Sequence, residues 1–283
     1  MRNSKEMFGL FNGIAASDER IRAMTLEGSR VNPSVTPDIW QDYDITFLVT
    51  ETESFLRSDD WLAVFGERIF MQKPEAMELF PPDFPSGWFS YLMLFDDGVK
   101  IDLTIVPVSD IKNYFEQDPL ICVLLDKDGI CPKLLKPSDE RFWVQKPCEA
   151  FVSDCANEFL FVCTYVAKGL LRNEQLFANH MFESAVRKEL LRMLGYLAGA
   201  RNGFPVNTGK HNKWLPRFLS EDERSALSVT YNLSAVDAAW NALYTAMRLF
   251  QKAEREVCAA LGYEYSDETL KIKEYIEVLK GMK

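Results

Sequence analysis

The sequence predicts an α+β protein, with a strand-rich N-terminal domain followed by a helical C-terminal domain. Two β-rich runs between Trp88 and Pro107 flank Asp96-Asp97-Gly98, whose turn chemistry marks a hairpin. From about Lys146 the apolar residues recur at helical spacing instead, as Phe151, Cys155, Phe159, Val162 and Val166 do. A composition of 47% hydrophobic, 13% aromatic and 26% charged residues over 283 positions is ordinary for a globular chain. It excludes disorder, collagen-like repeats and coiled coil as the main state. The expected domains are residues 1–148 and 149–283.

The elements follow in order. The first twenty residues read as a short amphipathic helix with polar flanks rather than a secretory leader. Ile21–Ser29 is a short apolar run closing on Gly-Ser, as a strand entering a tight turn. Asp42–Val49 is a second strand after the Asn32–Pro37 loop. Phe55, Leu56, Leu62 and Phe65 are spaced as in a helix, so Thr52–Gly66 is expected to be helical with Thr52 as N-cap. Arg68–Gln72 reads as a strand, and the proline-containing stretch Lys73–Gly87 as a loop around a short helix. Beyond the hairpin, helices are expected over Glu149–Glu174, Asn179–Ala200, Ala235–Gly262 and Glu268–Leu279, with a break at Gly203-Phe204-Pro205.

Charge and side-chain chemistry narrow the function. Lysine and arginine number 32 against 42 acids, a formal charge of −10. That balance argues against nucleic-acid binding, where basic side chains replace phosphate counterions, and it suits a cationic small molecule. The six cysteines form no CxxC pair, so zinc ribbons and thioredoxin-like chemistry have no support. Reduced thiols in a cytoplasmic protein are the simplest account. No apolar run is read as approaching the roughly 18–20 residues of a membrane span. There are two histidines, no HExxH and no Ser/His/Asp signature, so enzyme chemistry here is expected to run on carboxylates.

Asp42-Tyr43-Asp44 is the first informative constellation. Side chains alternate along a strand, so Asp42 and Asp44 share a side while Tyr43 and Ile45 take the other. Two carboxylates about 7 Å apart by Cα repel unless a cation lies between them, a natural ligand set for Mg²⁺. Alone, the spacing is as well explained by two solvated acids. Asp102 adds weight: Ile101, Leu103 and Ile105 occupy one face of a core-like strand, and Asp102 projects from the other. It needs a partner there, either a metal ion shared with Asp42 and Asp44 or the neighbouring Lys100. The third element, Gly28-Ser29-Arg30, directly follows a strand. Its glycine lets backbone approach phosphate, and its serine hydroxyl can bind it.

That order of elements resembles the nucleotidyltransferase superfamily that includes DNA polymerase beta and the antibiotic nucleotidyltransferases. The segments ERIRAMTLEGSRVNP, QDYDITFLVT, QKPEAMELFPP, FDDGVKIDLTIVP and VAKGLLRNE further resemble aminoglycoside 6-adenylyltransferases, the streptomycin-modifying enzymes. The resemblance implies a mixed-sheet nucleotidyltransferase domain and a helical second domain. It also implies ATP with Mg²⁺, and transfer of AMP to a streptomycin hydroxyl with release of pyrophosphate. By that resemblance Gly28 and Ser29, with Arg30 beside them, hold the triphosphate, Asp42 and Asp44 ligate Mg²⁺, and Asp102 is the third carboxylate.

Further roles remain as expectations. Asp102 is taken as the general base as well as a metal contact, with Glu27 and Glu78 as alternatives. Lys168, Lys210 and Lys213 are candidates for the β- and γ-phosphates, against the plainer reading of solvated lysines. Glu75, Glu78, Asp83, Asp96 and Asp97 are candidate partners for the guanidinium groups of the acceptor, and Trp88 and Phe89 a candidate apolar wall, against the plainer readings of surface acids and core aromatics. Acids on the first long helix, Glu149, Asp154 and Glu158, are further candidates. The expected partners are ATP and a cationic aminoglycoside, with no nucleic acid and no membrane, in a monomer or homodimer. Two other readings stay open: the same transfer to another antibiotic or to a protein hydroxyl, and a nucleotide-binding module without turnover.

Overall fold

The computed structural model describes residues 1–133 and 136–282. Its α+β architecture is the one that the sequence predicts. Two compact units divide the chain, Met1–Asp139 and Glu140–Lys283. The boundary expected at 148/149 falls a little later, where the first long helix begins.

In the first unit, helix α1 (Ser4–Ser17) opens on a capping box: the Asn3 side chain accepts from the Glu6 amide, and the Glu6 carboxylate accepts from the Asn3 amide. Its Met7, Phe11 and Ala15, four residues apart, form the buried stripe. Strands β1 (Ile21–Glu27), β2 (Tyr43–Val49), β3 (Arg68–Gln72), β4 (Phe89–Phe95), β5 (Lys100–Pro107) and β6 (Ile121–Asp126) make one sheet in the order β3-β4-β5-β2-β1-β6. The central pair β2 and β5 is parallel and every other pairing is antiparallel, so the sheet is mixed. One face packs on α1 through Tyr43, Ile45, Phe47, Ile101, Leu103 and Ile105. The β4–β5 hairpin turns at Gly98, whose φ of +81° suits a glycine.

Two local expectations change. Thr52–Gly66 is not one helix but a single turn, α2 (Glu53–Leu56), and a 3₁₀ segment, Asp60–Phe65. Thr52 sits at the cap position without a capping bond, and it is Phe55, Leu62 and Phe65 that are buried. Helix α3 (Ile111–Gln117) and the edge strand β6 had no sequence reading.

In the second unit a two-stranded ribbon, β7 (Trp143–Val144) with β8 (Val206–Asn207), accompanies helices α4 (Glu149–Leu171), α5 (Gln175–Met181), α6 (Arg187–Asn202), α7 (Glu221–Val229), α8 (Val236–Leu261) and α9 (Glu268–Gly281). The expected Asn179–Ala200 helix is interrupted by a π-turn, Phe182–Val186. Phe159 of α4 and Phe250 of α8 stack at 3.9 Å between ring centres, inside a core that the five longer helices share. Helix α4 is, contrary to the sequence reading, long and apolar enough to cross a membrane by length and composition. Its Val152, Phe159, Cys163 and Val166 are buried in this core, which accounts for the apolar content.

Candidate active site

Strand pairing gathers the acids. β2 and β5 run parallel with Asp44 directly opposite Asp102 and Thr46 opposite Thr104. Alternation sends their odd-numbered neighbours into the core and turns these four to the other face. Glu27, the last residue of β1, reaches the same place: its Oε1 accepts from Thr46 Oγ1 at 2.5 Å and from the Tyr114 hydroxyl at 2.6 Å. The Tyr114 hydroxyl is bonded in turn to Thr25. Burial pushes the Glu27 carboxyl above its ordinary range, the two hydroxyl donors opposing.

The turn after β1 is built against the strand it faces. Gly28 has φ +70°, in the left-handed region, and its amide donates to the Leu120 carbonyl at 3.2 Å. A Cβ at this position would lie 2.3 Å from Asp44 Oδ2, so only glycine leaves that carboxylate its place. Arg30 donates through Nε to the Asp42 carbonyl and through Nη2 to the Gln41 carbonyl, each at 2.7 Å. Its guanidinium also stacks 3.7 Å from the Tyr43 ring centre. Gln41 Nε2 returns a bond to the Ser29 carbonyl at 3.0 Å. The glycine turn and the loop carrying Asp42 are thereby tied together.

Gly28→Ala is expected to cost about 1–2 kcal/mol for the left-handed backbone. It is also expected to displace the Asp44 carboxylate and lower turnover about tenfold to a hundredfold, the scale of a misplaced reacting group. Thermal melts and turnover of the variant check both effects, and wild-type turnover would show that Asp44 needs no fixed position.

The electrostatics centre on one lysine. Lys100 Nζ donates to Asp42 Oδ2 at 2.8 Å and to Asp102 Oδ2 at 2.7 Å. The other oxygen of Asp102, Oδ1, is buried without a hydrogen-bond partner. Burial, reinforced by Asp102, Glu27 and Asp42, pushes Asp44 up to about 7, with Lys100 partly offsetting them. Asp102 is raised as well, by burial first, against the pull of Lys100. Among the described residues no three Asp, Glu, His or Cys side chains are disposed to chelate a metal ion as they stand. The donor set nevertheless suits a hard cation: carboxylate oxygens, one of them orphaned, around a spot where a side-chain ammonium already sits.

A family model for streptomycin adenylyltransferases matches residues 1–279. The chain belongs to this family. It is accordingly a nucleotidyltransferase enzyme. It is 45% identical to the aminoglycoside 6-adenylyltransferase of Bacillus subtilis (strain 168), with 98% of each chain covered. The enzyme of the same name from Campylobacter jejuni is 45% identical, with 98% of this chain and 95% of that one covered. The one from Staphylococcus aureus is 38% identical, with 98% of each covered. A crystal structure of an aminoglycoside 6-adenyltransferase from Bacillus subtilis covers 99% of each chain at 41% identity, with a TM-score of 0.48.

Within this adenylyltransferase chain the other expected site residues fall in several places. Gly28, Ser29, Asp42, Asp44 and Asp102 come together, and Arg30 is engaged in holding the loop that bears Asp42. Asp97 closes a clamp with Arg2, accepting from its amide at 2.8 Å and its Nε at 2.9 Å, and this pairing holds the carboxyl well below the usual range. Trp88 is 4% exposed and donates through Nε1 to Asp110 at 2.7 Å, packed between Phe84 and Tyr114. Glu78 is exposed in the segment before β4. Lys168 lies on α4 with its ammonium 5.8 Å from the Tyr275 ring centre. Lys210 and Lys213 are exposed on the loop after β8, Lys213 against Trp214.

Two residues have a larger part in this geometry than the sequence assigns them, Lys100 as a partner of Asp102 and Glu75 as one of several acids for the acceptor. For Lys100, its position two residues away on the same strand face was the available signal. Glu75 places Oε2 2.7 Å from the Ser90 amide and leaves Oε1 buried and unpartnered. Nothing in its local sequence distinguishes it from the other acids of that loop.

Proposed function

We propose that this enzyme transfers AMP from ATP to a hydroxyl of an aminoglycoside, streptomycin, with release of pyrophosphate. The observation that carries this reading is the convergence of Asp42, Asp44 and Asp102 beside a glycine turn shaped around Asp44. The family relation and the names of the relatives support the acceptor class. Asp42, Asp44 and Asp102 are the residues that would hold Mg²⁺, which supplies charge neutralisation of the triphosphate at the reacting phosphorus.

The chain's own side chains divide the remaining work. Gly28 and Ser29 present a turn on which a phosphate can rest without a Cβ in the way. Lys100, held by two carboxylates, is flexible enough to yield its place and then to pair with phosphate oxygens. Asp102 takes the proton of the attacking hydroxyl, its orphaned Oδ1 leaving lone pairs for that purpose. Lys168, Lys210 and Lys213 serve as cations of the second unit for the departing phosphates, and Glu78 as an exposed acid for the acceptor. ATP as donor places the reaction in the cytoplasm.

Pyrophosphate release from ATP with Mg²⁺ tests the reading against streptomycin, kanamycin, a lincosamide and no acceptor. Release with streptomycin, abolished in Asp42→Asn, is the expected result. Release with only another acceptor would move the substrate assignment, and ATP binding without release for any acceptor would favour a module without turnover.

A further inference from the structure

The helical unit contains a second place built for positive charge. A cavity of about 760 Å³ opens between α4, α8, α9 and the Tyr263–Ser266 segment. Four acids line it, Glu149, Glu254, Glu264 and Glu268, and no lysine or arginine is among its lining residues. Three of them are exposed, and two of these are partly occupied: Glu149 accepts from the Glu264 amide at 2.9 Å, and Glu268 pairs with Lys271 at 2.8 Å.

Glu254 differs. It is only 8% exposed, lines the cavity from α8, and has no hydrogen bond or ion pair among the described residues. Burial, with the nearby charges of Asp267 and Glu268, pushes its carboxyl up to about 7. Such a carboxyl is held neutral by a proton when the cavity holds only solvent, and a cation entering the cavity would favour its charged form. The volume is that of a small-molecule site rather than of a single ion, and no group of side chains here is disposed to hold a metal. Tyr263, Tyr265 and Phe161 add aromatic surface, which favours flat or delocalised cations.

We propose that this cavity binds an organic cation bearing guanidinium or ammonium groups, with Glu254 as the carboxylate that pairs with it. The choice of an aminoglycoside as that cation rests on the function proposed above; the chemistry of the cavity does not. A planar guanidinium engages a carboxylate through two parallel N–H bonds, and the exposed acids then surround the remaining positive groups.

The test is calorimetric titration of the full chain, without nucleotide, with streptomycin (guanidinium), kanamycin (ammonium) and agmatine. Wild type is compared with Glu254→Gln and Glu254→Leu, and their melting temperatures are recorded alongside. Removing an unpaired buried charge is expected to leave Tm unchanged or raise it, so loss of binding will not reflect loss of fold. At least one probe is expected to bind wild type and to bind both variants tenfold or more weakly. Equal binding by the variants, or no binding of any probe to wild type, overturns the proposal. Pyrophosphate release separates it from the reading of function. Agmatine binding through Glu254 in a chain that modifies no aminoglycoside leaves the cavity assignment standing alone. Modification of streptomycin with unaltered KM and binding in Glu254→Gln leaves only the reaction.

Discussion

Asp102→Asn is expected to lower the rate of AMP transfer by about 10³-fold or more, because in the proposed mechanism one substitution removes both a proton acceptor and a carboxylate oxygen of the cation site. The amide is isosteric, and its carbonyl can still accept from Lys100, so the hairpin that carries it is preserved. Asp102 faces Asp44 across paired strands and disfavours its ionisation, so losing the Asp102 charge relieves the fold rather than straining it. Single-turnover kinetics with saturating ATP and acceptor, alongside circular dichroism, check the two halves of this expectation. Turnover near that of wild type would remove Asp102 from the mechanism. Glu27→Gln is the informative companion, since the Glu27 carboxylate already accepts from Thr46 and Tyr114 and its loss strikes positioning. Glu78→Gln serves as an exposed comparison away from these strands.

Lys100→Met is expected to destabilise the protein in EDTA, and Mg²⁺ is expected to restore it. The ammonium holds Asp42 and Asp102 together at partly exposed positions, with 33% of the lysine side chain accessible. Its loss therefore costs about 1–2 kcal/mol, between the values for surface and for buried pairs. A divalent ion supplies the missing charge, so the stabilisation by Mg²⁺ should be larger in the variant than in wild type. A Tm deficit unchanged by Mg²⁺ would show that Lys100 does not occupy the ion's place.

The pH dependence has a defined sign. Asp44 titrates near 7 when folded, against an ordinary 3.8, so the folded state holds a proton that the unfolded chain has released. Its contribution to stability is greatest at acid pH and is lost as pH rises from about 4 to 7. Without metal, Lys100→Met should steepen this loss, since Lys100 is the charge that opposes the rise. With Mg²⁺ the slope should flatten. Melting curves at pH 5 and pH 8, with EDTA or Mg²⁺, measure all of it.

Much of this was legible in the chain because strand periodicity is local. The alternation that puts Asp42 and Asp44 on one side, and Asp102 opposite Ile101 and Leu103, needs only a few consecutive residues. The same holds for the hairpin turn at Gly98 and the long periods of α4 and α8. The Thr52–Gly66 segment shows the limit of that reasoning. Its apolar residues have helical spacing, yet they bury Phe55, Leu62 and Phe65 from a single turn and a 3₁₀ segment.

The sequence by itself determined the fold class, the family and the placing of acids at the end of β1, before and within β2, and within β5, but neither α3 nor β6. The tertiary structure alone decided which of these acids meet. Asp44 faces Asp102 because β2 and β5 are parallel neighbours in one register. Asp97 is consumed by Arg2 from the far end of the unit, and Trp88 is taken into the core beside Tyr114. Glu254 is left unpaired because the packing of three helices closes over it without bringing a cation. A side chain's type and its face on a strand or helix follow from near neighbours in the chain. Its partners depend on strand order and helix packing across long sequence separations, where no local pattern reaches.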